Sequence, residues 1–182
     1  MLSEEERRTL LELARGTVEA AARRRPLPAL KDPGGALRQK GAAFVTLRSP
    51  GGDLRGCIGH VEAVLPLWES VREMAEAAAL RDPRFPPVRP EETPDLRIEI
   101  SVLSPLRPLR PEEIRIGTHG LYVRRGGLAG LLLPQVAEEW NWDAPEFLRR
   151  TYEKAGIPPG TPGVELFGFT AERFSDPPRP RG

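Results

Sequence analysis

The chain is poor in the residues that usually announce chemistry. Its 182 residues include one cysteine, Cys57, and two histidines, His60 and His119. A single cysteine cannot close an internal disulfide, and so short a supply of Cys and His excludes a structural zinc framework. No apolar run approaches the roughly 18 to 20 residues needed to cross a bilayer, so no membrane span is expected. The N-terminal MLSEEERRTLLELARG is acidic where an export signal needs positive charge and has no continuous apolar stretch. This predicts a cytoplasmic protein. A net charge of +1 gives the molecule no overall field for nucleic acid or anionic lipid, so nucleic-acid binding would belong to a local site. The glycine stretch GGLAG lacks the spacing and the strand-to-helix context of a dinucleotide loop, and no other cofactor motif is present. One Asn (Asn141) and two Gln (Gln39 and Gln135) stand against 21 Pro. Few labile side chains and proline-stiffened loops predict a heat-adapted protein.

What is present reads as one domain, which at this length buries roughly 70% of its unfolded surface. Ser3 to Glu6 is a capping-box pattern, and the apolar spacing Leu10, Leu13, Ala14, Thr17, Val18, Ala21 predicts a helix that Pro26 stops. Ala42–Arg48, the turn Ser49–Asp53 and LRGCIGHV predict a hairpin with Cys57 on its second strand. A second helix starts at Pro66 and ends before Pro83, followed by a stiff proline-rich loop over Asp82–Asp95. Leu96–Leu103 alternates as a strand with Glu99 and Ser101 on its polar face. GLYVRR and GLAGLLL predict a second hairpin, Pro134 and Asp143 open two helices, and VELFGFTAERF reads as one final strand. Helix packing is expected to cover Trp68 and Trp140. This order predicts an α+β fold, largely antiparallel sheets with flanking helices.

The chemistry concentrates on Cys57. Alternation places Arg55, Cys57 and Gly59 on one strand face and Leu54, Gly56, Ile58 and His60 on the other. A guanidinium beside a thiol favours the thiolate, and Gly56 and Gly59 predict a slot where a ligand or backbone approaches closely. The residues leave three roles open for Cys57: a small buried side chain, a nucleophilic or redox thiol, or a contact in a binding cleft. His60 points away, which leaves no Cys-His metal pair on this strand. His119, in the glycine-bounded GTHGLYV, is either a surface-turn histidine or a base projecting into a cleft. Glu99 either lies on a solvated face or orients that base. Cys57, His119 and Glu99 thus form a candidate nucleophile, base and orienter set. The competing reading is a binding cleft in which Arg55, Gly56, Gly59, Arg84 and Phe85 join them to hold an anionic small-molecule or nucleic-acid ligand, or a partner segment.

The segment LRGCIG (54–59) resembles the AMMECR domain family, named for a human chromosomal region linked to Alport syndrome, midface hypoplasia and elliptocytosis. GAAFVTL, DPRFPPV, IEISVLSP, HGLYV, LLLPQVAEEW and KAG follow that family's segments in the same order. The sequence departs from the pattern at His60, where a small hydroxyl residue is expected, and at Thr118, where a basic one is. The resemblance implies a single domain over 1–182 in two lobes around a cleft, a larger one holding both termini and a smaller inserted one; the proline-rich end, 176–182, reads from its composition as a frayed tail. It implies no activity of its own, but points to Memo-like and radical-SAM proteins as partners, possible co-workers in nucleic-acid modification.

Overall fold

In the computed structural model, which describes residues 1–177, Ser3 caps the first helix, α1 (Glu4–Ala22). The Ser3 hydroxyl accepts from the Glu6 amide at 3.2 Å and the Glu6 carboxylate accepts from the Ser3 amide at 2.8 Å. Two donors left open at a helix start are thereby satisfied. The predicted stripe from Leu10 to Ala21 is buried. A hairpin follows, β1 (Ala42–Arg48) against β2 (Leu54–Gly59), antiparallel, with Thr46 opposite Cys57 and Phe44 opposite Gly59. Helix α2 (Leu67–Leu80) and strand β3 (Arg97–Leu103) come next. With the last strand, β8 (Ala171–Ser175), they build a sheet in the order β2-β1-β3-β8.

Alternation decides what this sheet buries. Val45, Leu47, Ile98 and Ile100 are fully buried in one cluster with Leu10 and Val18 of α1 and Val71 of α2. Each such burial stabilises by roughly 1.5–3 kcal/mol. The intervening residues Thr46, Glu99 and Ser101 turn to the opposite face, and they too are buried. The solvated face considered for Glu99 and Ser101 is therefore not found.

Residues between the two halves of this unit form a second sheet. Strands β4 (Arg107–Pro108), β5 (Gly120–Arg125), β6 (Leu128–Leu132) and β7 (Glu165–Phe169) take the order β4-β7-β5-β6, with β5 antiparallel to both neighbours. Helices α3 (Pro134–Glu139) and α4 (Ala144–Ala155) accompany it. Asp143 caps α4 by accepting from the Glu146 amide at 2.9 Å, and Gly156, at φ +67°, ends it in the left-handed conformation that glycine adopts without strain. Phe147 is fully buried among Ile114, Leu121, Leu132 and Ala137. The described residues divide accordingly into two units, one of Met1–Val102 with residues 172–177, the other Leu103–Ala171.

Some expectations need correction. VELFGFTAERF is two strands in two sheets. At the break the Thr170 amide donates to the Ser104 hydroxyl and the Ser104 amide to the Thr170 carbonyl, both at 2.9 Å, so one ladder stops where a side chain takes over a strand's acceptor role. Trp140 is 67% exposed and stacked on Trp142, ring centroids 6.0 Å apart, because α3 stops at Glu139 before it can bury that side chain. Asp176, where the tail was expected to start, donates its amide to the Ile98 carbonyl at 3.0 Å and pairs with Arg15. Residues 178–182 of that tail lie outside the described residues. Among the described residues no helix is long and apolar enough to cross a membrane.

Candidate functional site

Strand β2 is an edge strand, so its outward N–H and C=O groups need partners from outside the sheet. At Cys57 the loop after α2 supplies them. The Cys57 amide donates to Asp82 Oδ2 at 2.8 Å, and Arg84 Nη2 donates to the Cys57 carbonyl at 3.3 Å. Pro83 halts the helix just where Asp82 must turn back. Asp82 also accepts from Arg84 Nη2 at 2.7 Å, Nε at 3.0 Å and the Arg84 amide at 3.1 Å. Its side chain is 2% exposed. Hydrogen bonding from Arg84 foremost, and from the Cys57 amide, holds the Asp82 carboxyl down at about 2 despite burial.

On the sulfur side, the Thr46 hydroxyl donates to Cys57 Sγ at 3.2 Å. Arg84 is held in its charged form first by its hydrogen bond to Asp82, and the Cys57 sulfur lies within its electrostatic reach. Its side chain is 51% exposed, and the guanidinium sits 5.6 Å from the centre of the Phe85 ring, a cation-π distance. A thiol on the edge strand, a hydroxyl donor on its neighbour and a half-exposed cation over an aromatic ring therefore lie together at one side of the sheet.

The expected role of Arg55 is corrected. Its fork grips Glu92 at 2.8 and 3.2 Å, and it also donates to the Pro86 and Pro87 carbonyls at 3.0 and 3.4 Å. Arg55 fastens the proline-rich loop to β2, and its hydrogen bonds hold the Glu92 carboxyl at about 2. The predicted slot is filled as well. A Cβ on Gly56 would lie 2.2 Å from the Ala78 carbonyl oxygen, and one on Gly59 would lie 2.1 Å from the Phe44 ring. Both glycines admit other parts of the same unit, α2 backbone in one case and an aromatic ring in the other.

Glu99, 4% exposed, accepts from Arg173 Nη2 at 2.6 Å. Cys57, Thr46, Glu99 and Ser101 thus belong to the face of the first sheet turned from the helices. His119 belongs to the second unit, where its Nδ1 accepts from the Arg115 amide at 3.2 Å. His60 Nε2 is buried with no hydrogen-bond partner among the described residues. Sequence reasoning missed Asp82 and Thr46. The hairpin register, countable from its turn, would have set Thr46 opposite Cys57, whereas nothing local ties Asp82 to a strand 25 residues away. Among the described residues no group of three or more His, Cys, Asp and Glu is placed to hold a metal ion.

The molecule is a mixed α+β protein built on two antiparallel sheets. The AMMECR1 family model matches residues 11–174, and the chain belongs to that family. A protein of Methanothermobacter thermautotrophicus is 46% identical over 96% of each chain. One of Thermococcus gammatolerans is 44% identical, covering 95% of this chain and 91% of its own. The crystal structure of uncharacterized protein PH0010 from Pyrococcus horikoshii superposes with a TM-score of 0.85 at 40% identity, covering 92% of this chain and 90% of that one. These relatives come from thermophilic archaea, which fits the heat-adapted composition.

Proposed function

We propose that this protein is a binding module whose recognition edge is Arg84 and Phe85 beside Cys57. The carrying observation is the division of labour between two arginines. Arg55, 14% exposed, spends its donors inside the unit, whereas Arg84, 51% exposed, is braced by a buried carboxylate and keeps Nη1 uncommitted among the described residues. Because Asp82 neutralises Arg84, recognition here works by directed hydrogen bonds to a carbonyl, carboxylate or phosphate oxygen, with Phe85 taking the apolar part of a small ligand, a nucleotide segment or a partner's loop. Memo-like and radical-SAM proteins are the partners to test first, with nucleic acid as the joint substrate.

Two observations favour a second reading, Cys57 as a covalent nucleophile in acyl or similar group transfer. A hydroxyl donating to the sulfur and a cation nearby both favour a thiolate.

The two are separated by capture from native extract of the source cells, using wild type, Arg84→Ala and Cys57→Ser, with identification of bound protein and nucleic acid and a Kd for each partner found. Binding loses at least tenfold in Arg84→Ala and survives in Cys57→Ser if the module reading holds. An unchanged Kd in Arg84→Ala overturns it. Turnover abolished by Cys57→Ser in a folded protein establishes the nucleophile, and full turnover in that variant removes it.

A further inference from the structure

The second unit carries a groove of about 680 Å³ that nothing in the Cys57 site uses. Its size is that of sites that take small organic ligands. Arg107, Arg115, Thr118, His119, Thr170 and Phe169 line it.

Its charges do not cancel. Two carboxylates also line the groove, Glu112 and Glu113, but both are engaged from outside its lining by Arg110. Arg110 reaches Glu113 at 3.1 Å and Glu112 at 3.5 Å, and its amide donates to Glu113 at 2.9 Å. Arg107 and Arg115 are exposed, and among the described residues neither guanidinium has an ion pair or hydrogen bond. His119 faces the groove with a fixed polarity. Because Nδ1 accepts from the Arg115 amide, the neutral ring carries its proton on Nε2 and presents a donor. Thr118 and Thr170 add hydroxyls, and Pro105, Pro108, Leu109 and Phe169 provide an apolar wall.

We propose that this groove binds a phosphate ester on a flat organic body, a ligand of nucleoside-monophosphate size. Two uncommitted guanidiniums with an imidazole N–H and hydroxyls form more donors than one carboxylate can accept from, and match the several oxygens of a phosphate. The apolar wall takes the body. The site lies wholly within the second unit and is independent of the Arg84 edge.

The test is calorimetric titration of the full chain with AMP, adenosine and inorganic phosphate at low ionic strength. AMP is expected to bind saturably at one site, more tightly than phosphate, with adenosine at least tenfold weaker than AMP. Arg107→Ala and Arg115→Ala, both exposed and without a side-chain ion pair or hydrogen bond among the described residues, each lower AMP affinity about tenfold. Thr118→Lys adds a cation and raises it several-fold. Arg84→Ala leaves it unchanged, which keeps this result distinct from the Cys57 site. No saturable AMP binding up to millimolar concentration, adenosine binding as tightly as AMP, or indifference to both arginine variants overturns the proposal.

Discussion

Asp82→Asn isolates the charge that clamps the Cys57 edge. Asparagine keeps the shape and one acceptor for the Cys57 amide, but loses the negative charge that faces Arg84 at 2.7 Å. The Asp82 carboxyl, held at about 2 from an ordinary 3.8, carries roughly 2.5 kcal/mol at about 1.36 kcal/mol per pKa unit. Arg84 is half in water, so screening reduces this to about 1–2 kcal/mol. Because the folded pKa lies below the unfolded one, that stability is complete above about pH 4 and is lost as the pH falls towards about 2. Urea unfolding of wild type and Asp82→Asn therefore gives a difference of about 1–2 kcal/mol at pH 7 that shrinks to a few tenths near pH 2. In a chain of this size it corresponds to a Tm shift of about 2–8 °C. An equal cost at both pH values, or none at pH 7, refutes the ion-pair clamp.

Gly56→Ala drives a Cβ into the Ala78 carbonyl oxygen and is expected to cost about 2–3 kcal/mol in chemical denaturation. Gly59→Ala meets the Phe44 ring, so Phe44→Ala in the same chain recovers part of its loss, which a double-mutant cycle measures. His60→Phe replaces a buried, unpartnered Nε2 by carbon of similar shape and raises stability by about 1 kcal/mol in thermal unfolding. Arg55→Ala, which removes the brace on Glu92 and the Pro86 and Pro87 carbonyls, destabilises by about 2–3 kcal/mol in urea.

The elements and the cysteine's strand were legible because they rest on local signals: the capping box at Ser3, alternation along β3 and glycine at the β5–β6 turn. The α+β class followed from their order. What was not legible depends on chain segments far apart meeting. Two residues from Cys57 on the same strand face, Arg55 is the cation the sequence puts beside the thiol, yet a long side chain on an edge strand reaches whatever loop covers that edge, here Glu92. Arg84 and Asp82 occupy the vacated role through a turn that periodicity cannot position. Gly56 and Gly59 predict close approach by a ligand or by backbone, and only packing shows that α2 backbone and the Phe44 ring take that room. The split of the last strand turns on Ser104 and Thr170, 66 residues apart, exchanging hydrogen bonds.

Both readings of the site place the Arg84 guanidinium, and not that of Arg55, beside Cys57, where its charge acts on the sulfur. The direct measurement is the rate of Cys57 alkylation by iodoacetamide at neutral pH in wild type, Arg84→Ala and Arg55→Ala, each checked for folding by circular dichroism. The account predicts a several-fold slower reaction in Arg84→Ala and a wild-type rate in folded Arg55→Ala. A wild-type rate in Arg84→Ala, or the same slowing in both variants, contradicts it.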